Sequence, residues 1–389
     1  MTLSPGFIAE RFTDQAPGAR HMAIAENGDV VVALEGVGEN PGGVRVFRDV
    51  DGDGVADTVA AFGEGTGSDV EFQGGFLYFA SRGDVVRYPW QVGQMLPVGP
   101  PDTVVTGLPA RNYHSLKTIA FDSSGALYVN IGSTTNVCTP TTVDDRDTSL
   151  DPCPELEERA GIWRFDPTAS GQSQTNGVRF VSGVRNAVAL ARDGGSVYAV
   201  IHGRDRLHQK YPEFFDEEES AELPSEEFIR LQEGDDYGYP YCFYDHRQQL
   251  KVLAPEYGGD GLTQGRCSAM TTPLLGFPGH WAPNDLLFYG AEQFPERYRG
   301  GAFITFHGSW NRDPLPQGGY NVVFVPFVAG EPAGDYEIFA NGFAGDPPRD
   351  DGRHRPVGLA VGPDGSLFVS DDRSGWIYRI RYVGLTPPS

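Results

Sequence analysis

Lysine is nearly missing from this 389-residue chain, which has only Lys117, Lys210 and Lys251. Arginine supplies the other basic residues, yet Lys and Arg together number 30 against 53 Asp and Glu, for a net charge of −23. Phosphate backbones and anionic lipid surfaces attract clustered positive charge, so nucleic acid is a poor partner for so acidic a chain. No run approaches the roughly 18 apolar residues of a membrane span. The start, MTLSPGFIAERF, has neither the basic segment nor the apolar stretch of a secretory signal. Long amphipathic helical periodicity is nearly absent, which argues against α/β folds. Turn chemistry takes its place. The chain has 51 Gly and 30 Pro, about a fifth of its residues against an average of about 12%.

Cysteine is also scarce, and none of the four has the CxxC spacing of a zinc site. Cys138 and Cys153 share one polar, Pro-rich loop, and Cys242 and Cys267 share another. Of three possible connectivities these two local pairs are the natural choice, with four buried thiols as the alternative. A disulfide closing a loop of about 15 residues contributes on the order of 3 kcal/mol in an oxidising compartment. The expected location is therefore periplasmic or secreted, with the leader absent from this chain.

An internal repeat sets the fold class. The unit is a short apolar strand, a polar Gly turn and a second apolar strand. It recurs as HMAIAENGDVVVAL from His21, KTIAFDSSGALYVNIG from Lys117, NAVALARDGGSVYAVI from Asn186 and VGLAVGPDGSLFVSDD from Val357. Weaker copies begin at Ser68 and Asn284. Each reads as a β-hairpin closed by an NG, GG or DG turn, often followed by a third strand. Six such units predict an all-β chain, a six-bladed β-propeller. GFIAERFT, near the start, is expected to be an outer strand that closes the last blade. The whole chain, 1–389, reads as a single catalytic domain with a long loop insertion at about 208–282. The acidic stretch in that insertion, FFDEEESAELPSEE, reads as solvated surface.

Propellers place function where the innermost strands end. His114 precedes one such strand, Arg185 and Asn186 the next, Arg353 and Arg355 the last, and Arg20 with His21 the first. In so acidic a chain, cationic side chains repeated in register imply an anionic ligand, because Arg pairs bidentately with carboxylate or phosphate. The competing reading is that each Arg pairs with a local Asp.

The ordered motifs ARNYHSLKTIAF, GVRN, HGRD, GDDYGYPYCFYD, HGSWNR and RPVGLAVGPDGSLFVSDD resemble the soluble quinoprotein sugar dehydrogenases, on their L-sorbosone and pyranose dehydrogenase side. The resemblance spans nearly the whole chain. It implies a propeller that uses pyrroloquinoline quinone and calcium to oxidise a small-molecule sugar and passes electrons to a dye, quinone or cytochrome. By similarity, His114 is the general base and Arg185 lies near the reacting oxygen. Arg185 and Asn186 contact the cofactor, while Arg353 and Arg355 clamp its carboxylates. His280, His307, Trp310 and Arg312 join the cofactor set, and His307, Ser309, Trp310 or Arg312 stands in for a lysine missing from HGSWNR. Backbone carbonyls of Gly203 and Arg204 hold calcium. Two departures leave the sugar open: Ser133 stands where glucose-oxidising relatives have the Asp that orients the His, and Tyr113 replaces another Asp.

A second cation site is legible without the resemblance. DVDGDGVAD places Asp49, Asp51, Asp53 and Asp57 at positions 1, 3, 5 and 9 of a calcium-type loop, although position 12 is Ala60. Asp-Gly repeats also make ordinary turns. Two other functions remain open, a metal-dependent lactonase-type hydrolase and a non-catalytic sugar-binding propeller. The hydrolase needs carboxylates and amides in the channel, where this chain offers arginine and imidazole.

Overall fold

The structure, a computed structural model, describes residues 1–38, 40–111, 113–139 and 149–385. Six antiparallel sheets of four or five strands follow one another along the chain, the blade set of a six-bladed β-propeller. Among the described residues the only α-helices are Leu207–Lys210 and Glu217–Glu222. Neither is long and apolar enough to cross a membrane.

The blades fall into two compact units. The first unit comprises Met1–Val104, Asn284–His307 and Tyr320–Ser389. Its blades have innermost strands Ala19–Ile24, Gly67–Gln73, Pro283–Phe288 and Pro356–Val361. All four coincide with repeat copies read from the sequence. In the hairpin Ala19–Ile24/Val30–Leu34, Ile24 faces Val30 and the Asn27-Gly28 turn closes with Gly28 at φ 91°, a conformation open to glycine.

Val30–Leu34 is buried along its whole length, and alternation explains why. Val30, Val32 and Leu34 pack on Ala360, Phe368 and Ile377 of the last blade. Val31 and Ala33 pack on Val70, Leu77 and Phe79 of the second blade. A strand between two neighbours needs apolar side chains on both faces, so its sequence loses the polar alternation of a one-sided sheet.

The N-terminal segment binds two blades. Phe7–Thr13 pairs with Trp376–Tyr382 as the outer strand of the last blade, as the sequence predicts. Thr2–Leu3 adds a fifth strand to the blade before it, pairing with Ala340 and Asn341. Phe7 anchors this arrangement with its ring centroid 4.7–5.4 Å from those of Phe294, Phe339 and Tyr298, all near edge-on.

The second unit, Val105–Pro283 with Gly308–Gly319, holds the blades whose innermost strands are Ile119–Phe121 and Ala189–Asp193. Ala120, Tyr128 and Ile162 meet Leu190, Val197 and Ala199 in its core. Both disulfides lie here, Cys138–Cys153 and Cys242–Cys267, in the pairing expected from spacing. The insertion carries the two helices and a hairpin, Cys242–Asp245 with Leu250–Leu253. Its acidic stretch is only partly solvated. Asp216 caps Glu217–Glu222 at the surface, but Glu226 and Glu227 are buried in a strand, where Lys251 pairs with Glu227. A charge run cannot be read as one surface when a strand begins inside it.

Candidate active site

A cavity of about 220 Å³ in the second unit is lined by His114, Arg185, His202, Asp205, His280 and Trp310, among others. His114 has φ 51° and stands before the strand Ile119–Phe121. Its seat depends on Gly132, where a Cβ would come within 2.5 Å of His114 Cβ and 2.7 Å of Asn186 Oδ1.

Hydrogen bonds fix the His114 tautomer. Nδ1 lies 3.2 Å from the Ser133 carbonyl oxygen and 3.0 Å from Ser133 Oγ. The carbonyl can only accept, and the Ser133 hydroxyl commits its proton to the Thr135 carbonyl at 2.8 Å. Nδ1 therefore carries the hydrogen, and Nε2 keeps its lone pair. Burial pushes this imidazole well below its ordinary pKa of 6.5, and the charges of Arg185 and His202 push the same way. At neutral pH His114 is a neutral base.

Arg185 is placed by the loop after the preceding blade. Its Nη1 donates to the Gly203 carbonyl at 2.6 Å, and its Nη2 donates to Asn136 Oδ1 and Asp205 Oδ2, each at 3.0 Å. Its Nε and Asn311 Oδ1 are buried without a hydrogen-bond partner among the described residues. Such groups cost free energy unless a ligand or water satisfies them.

Asp205 organises the cationic side. It accepts from Asn311 Nδ2 at 2.9 Å and faces His280 Nδ1 at 3.3 Å. His280 Nε2 donates to the Ser220 carbonyl at 2.8 Å. Both ring nitrogens thus meet obligate acceptors. Burial would lower the His280 pKa, but the hydrogen bond and charge of Asp205 raise it. Burial would likewise raise Asp205, yet His280 and Arg185 hold it far below the carboxylate range. Glu226 accepts from the Gly203 and Ala282 amides at 2.8 and 3.1 Å, and burial pushes its carboxyl up to about 7. Trp310 is 58% exposed with the Arg206 guanidinium 5.9 Å from its ring centre, offering a flat face beside a cation.

Other expected site residues lie elsewhere. Asn186 is buried behind the cavity, where its Oδ1 accepts from Asn130 and its carbonyl from the His202 amide. Arg312 turns into the insertion, donating to the Ala221 and Gly279 carbonyls and pairing with Glu222. The Gly203 carbonyl, expected to hold calcium, accepts Arg185 Nη1, and the Arg204 guanidinium grips Glu256. In the first unit, Asp372 gathers His307 Nε2 at 2.9 Å, Arg355 Nη2 at 2.9 Å and Arg20 Nη1 at 3.8 Å. Arg353 is exposed and makes no ion pair among the described residues. In the calcium-type loop, oxygens of Asp49, Asp51 and Asp57 lie within 4.8 Å of one another, whereas Asp53 stands outside the group and caps the Val55 amide.

Asp205, His202, Glu226, Arg206 and Asn311 were missed as individual site residues. His202 and Asp205 flank HGRD, and Asn311 lies in HGSWNR, so the motifs marked the places without ranking their members. Glu226 left a weaker signal, a charged residue at the start of the short strand Glu226–Arg230.

Residues 1–383 match the TrAA12-like family. The chain belongs to that family. The resemblance to quinoprotein sugar dehydrogenases read from the motifs is therefore correct. This TrAA12-like chain is 28% identical over 325 residues to a pyrroloquinoline quinone-dependent pyranose dehydrogenase of Coprinopsis cinerea, covering 72% of the chain and 41% of that protein. It spans 41–63% of the length of the curated relatives it matches. Solved structures that share its fold include the following two. The calcium structure of a Trichoderma reesei family AA12 carbohydrate-active enzyme has TM-score 0.79 at 21% identity, with 98% of this chain and 96% of that one covered. The holo pyranose dehydrogenase PQQ domain of Coprinopsis cinerea has TM-score 0.77 at 20% identity, with the same coverage.

Proposed function

We propose that this TrAA12-like chain, residues 1–389, is a quinoprotein oxidoreductase that oxidises a sugar or a sugar-derived aldehyde or hemiacetal. The observation that carries the reading is His114, neutral, locked with its proton on Nδ1 and sharing a cavity wall with Arg185. The donor set fits pyrroloquinoline quinone, a flat tricarboxylate. Arg185, Arg206 and His280 supply positive charge against the one strongly acidic carboxylate, Asp205, and Arg185 Nε offers an unused buried donor. When bound, the quinone supplies the acceptor for a hydride from the substrate carbon.

His114 Nε2 takes the proton of the substrate hydroxyl as that hydride leaves. Arg185, held by Asp205 and Asn136, presents a preorganised positive charge to oxygen that becomes negative during the reaction. Trp310 provides the stacking face. The Gly203 and Arg204 carbonyls remain a proposed calcium site, since the bond from Arg185 leaves the Gly203 oxygen a second lone pair. Asp49, Asp51 and Asp57 are the carboxylates that converge, so calcium in the holoenzyme is proposed there too. The disulfides support a periplasmic or secreted location, and a dye, quinone or cytochrome is the proposed acceptor.

The test is reconstitution with the quinone, with and without calcium, followed by dye reduction across aldoses and ketoses. Bound-quinone absorbance with turnover on at least one sugar is expected. Neither absorbance nor turnover would overturn the reading.

A further inference from the structure

Among the described residues His114 Nδ1 meets a hydroxyl and a carbonyl but no carboxylate, so an imidazolium formed there has no anion among them in direct contact. The hydrogen bonds do not stop at Ser133. The Ser133 hydroxyl donates to the Thr135 carbonyl, which also lies 3.0 Å from the Tyr239 hydroxyl. Tyr239 has one hydroxyl hydrogen, and its stronger acceptor is the Glu155 carboxylate, 2.8 Å away at Oε1. Thr135 Oγ1 donates to the same Oε1 at 2.6 Å, while the Thr134 and Thr135 amides donate to Oε2 at 2.5 and 3.3 Å. Ser133, Thr135 and Tyr239 are all buried. Glu155 itself is fixed by sequence neighbours. It lies in the short 3-10 turn Pro154–Glu157 immediately after Cys153, with a carboxylate oxygen within 4.8 Å of both disulfide sulfurs.

We propose that Glu155 is a positioning residue for His114, acting through Tyr239, Thr135 and Ser133. It holds the Ser133–Thr135 segment so that Nδ1 always donates, and it supplies the negative charge that favours the imidazolium formed when Nε2 takes a proton. Burial and the Glu155 charge both raise the Tyr239 phenol, so Tyr239 stays protonated and keeps donating. No proton needs to travel along the chain. The Thr135 residue, whose amide and hydroxyl Glu155 holds and whose carbonyl takes the Ser133 proton, carries the effect together with the field of the carboxylate.

The inference rests on His114 as the base, so its test has a readout independent of turnover. Imidazole nitrogen NMR of the quinone-free protein reports the His114 tautomer and titration directly. Glu155→Gln removes the charge but keeps an acceptor for the amides. A lost anion disfavours the cation, so the His114 midpoint should fall by on the order of half a pH unit, with the Nδ1–H tautomer no longer the only one. In the reconstituted enzyme, kcat should fall about tenfold with KM unchanged, a smaller loss than for a carboxylate in direct contact with the imidazole. Glu155→Asp should restore most of both signals. Tyr239→Phe leaves the Thr134 and Thr135 amides capped and should shift the titration in the same direction, so it carries the test should Glu155→Gln misfold. An unchanged His114 titration in Tyr239→Phe and in folded Glu155→Gln overturns the proposal, even when His114→Ala abolishes turnover. A shifted titration in protein whose turnover survives His114→Ala supports the coupling and removes only the base assignment.

Discussion

His21 in the first unit and His114 in the second are both desolvated imidazoles near the start of an inner propeller strand, yet one is cationic and the other neutral. His21 Nδ1 faces Asp69 Oδ1 at 3.2 Å and its Nε2 faces the Asn284 carbonyl at 2.6 Å. Two obligate acceptors require two donors. Burial would lower its pKa, but the charges of Asp285 and Asp69 overcome that and raise it to about 9. Among the described residues His114 meets acceptors on one nitrogen only, and the charge that acts on it most strongly is Arg185, which adds to burial instead of opposing it. Burial is common to both rings, so it cannot decide their roles. The number of obligate acceptors and the sign of the nearest charge do, making His21 a cationic pin for structure and His114 a neutral base.

The sharpest way to break this contrast is to truncate each ring. His114→Ala should lower kcat by roughly 10²–10⁴-fold while quinone binding and thermal stability persist, as for loss of a general base. Dye reduction and bound-quinone absorbance check both parts, and unchanged rates would remove the base. His21→Ala should instead cost about 3–5 kcal/mol of stability by leaving Asp69 and Asp285 buried without their cation. Denaturant melts measure that loss, and an unaltered midpoint would refute the pin.

Titration tests the same contrast more gently. His21 has a folded pKa near 9, above its ordinary 6.5, so its stabilisation is complete below about pH 6.5 and disappears as pH rises through about 9. The loss is at most on the order of 3 kcal/mol. Arg20 already works against the cation, and Asp285 is itself pushed up to about 6 by burial. Melting temperature should therefore decline from pH 6.5 to 9.5 in the parent protein and much less in His21→Gln. Parallel curves would mean His21 is not the titrating group.

The fold was largely legible because a hairpin repeat with Gly turns is local, and its six copies coincide with the six inner strands. The fifth strand Thr2–Leu3 was not legible, since two residues carry no periodicity. The site was legible in kind and only partly in detail. Register pointed to His114 and Arg185, which line one cavity, because entry to an inner strand is a position a repeat can define. It could not distinguish Asn186, which faces behind the cavity, or Arg312, which turns into the insertion, because side-chain direction there depends on partners distant in sequence. Local pairing and ligand binding had been treated as competing fates for arginine. The two are compatible at Arg185, which pairs with Asp205 through Nη2 while Nε has no partner among the described residues.

Arg353 and Arg355 give the finest test, because the sequence treats them alike and the structure does not. Arg355 donates to Asp372 through Nε and Nη2, beside His307 and Arg20. Arg353 is exposed without an ion pair among the described residues. The motif resemblance implies that both meet quinone carboxylates, but their losses should differ in kind. Arg355→Ala leaves Asp372 with one fewer partner, so it should lower stability by about 1 kcal/mol as well as weaken quinone binding. Arg353→Ala should leave melting unchanged and weaken quinone binding only about threefold, more at low salt than at high, because an exposed charge is screened. Equal effects of the two substitutions on stability would show that the Asp372 pairing contributes nothing. An unaltered quinone affinity in Arg353→Ala would remove that residue from the clamp and leave Arg355 to account for it.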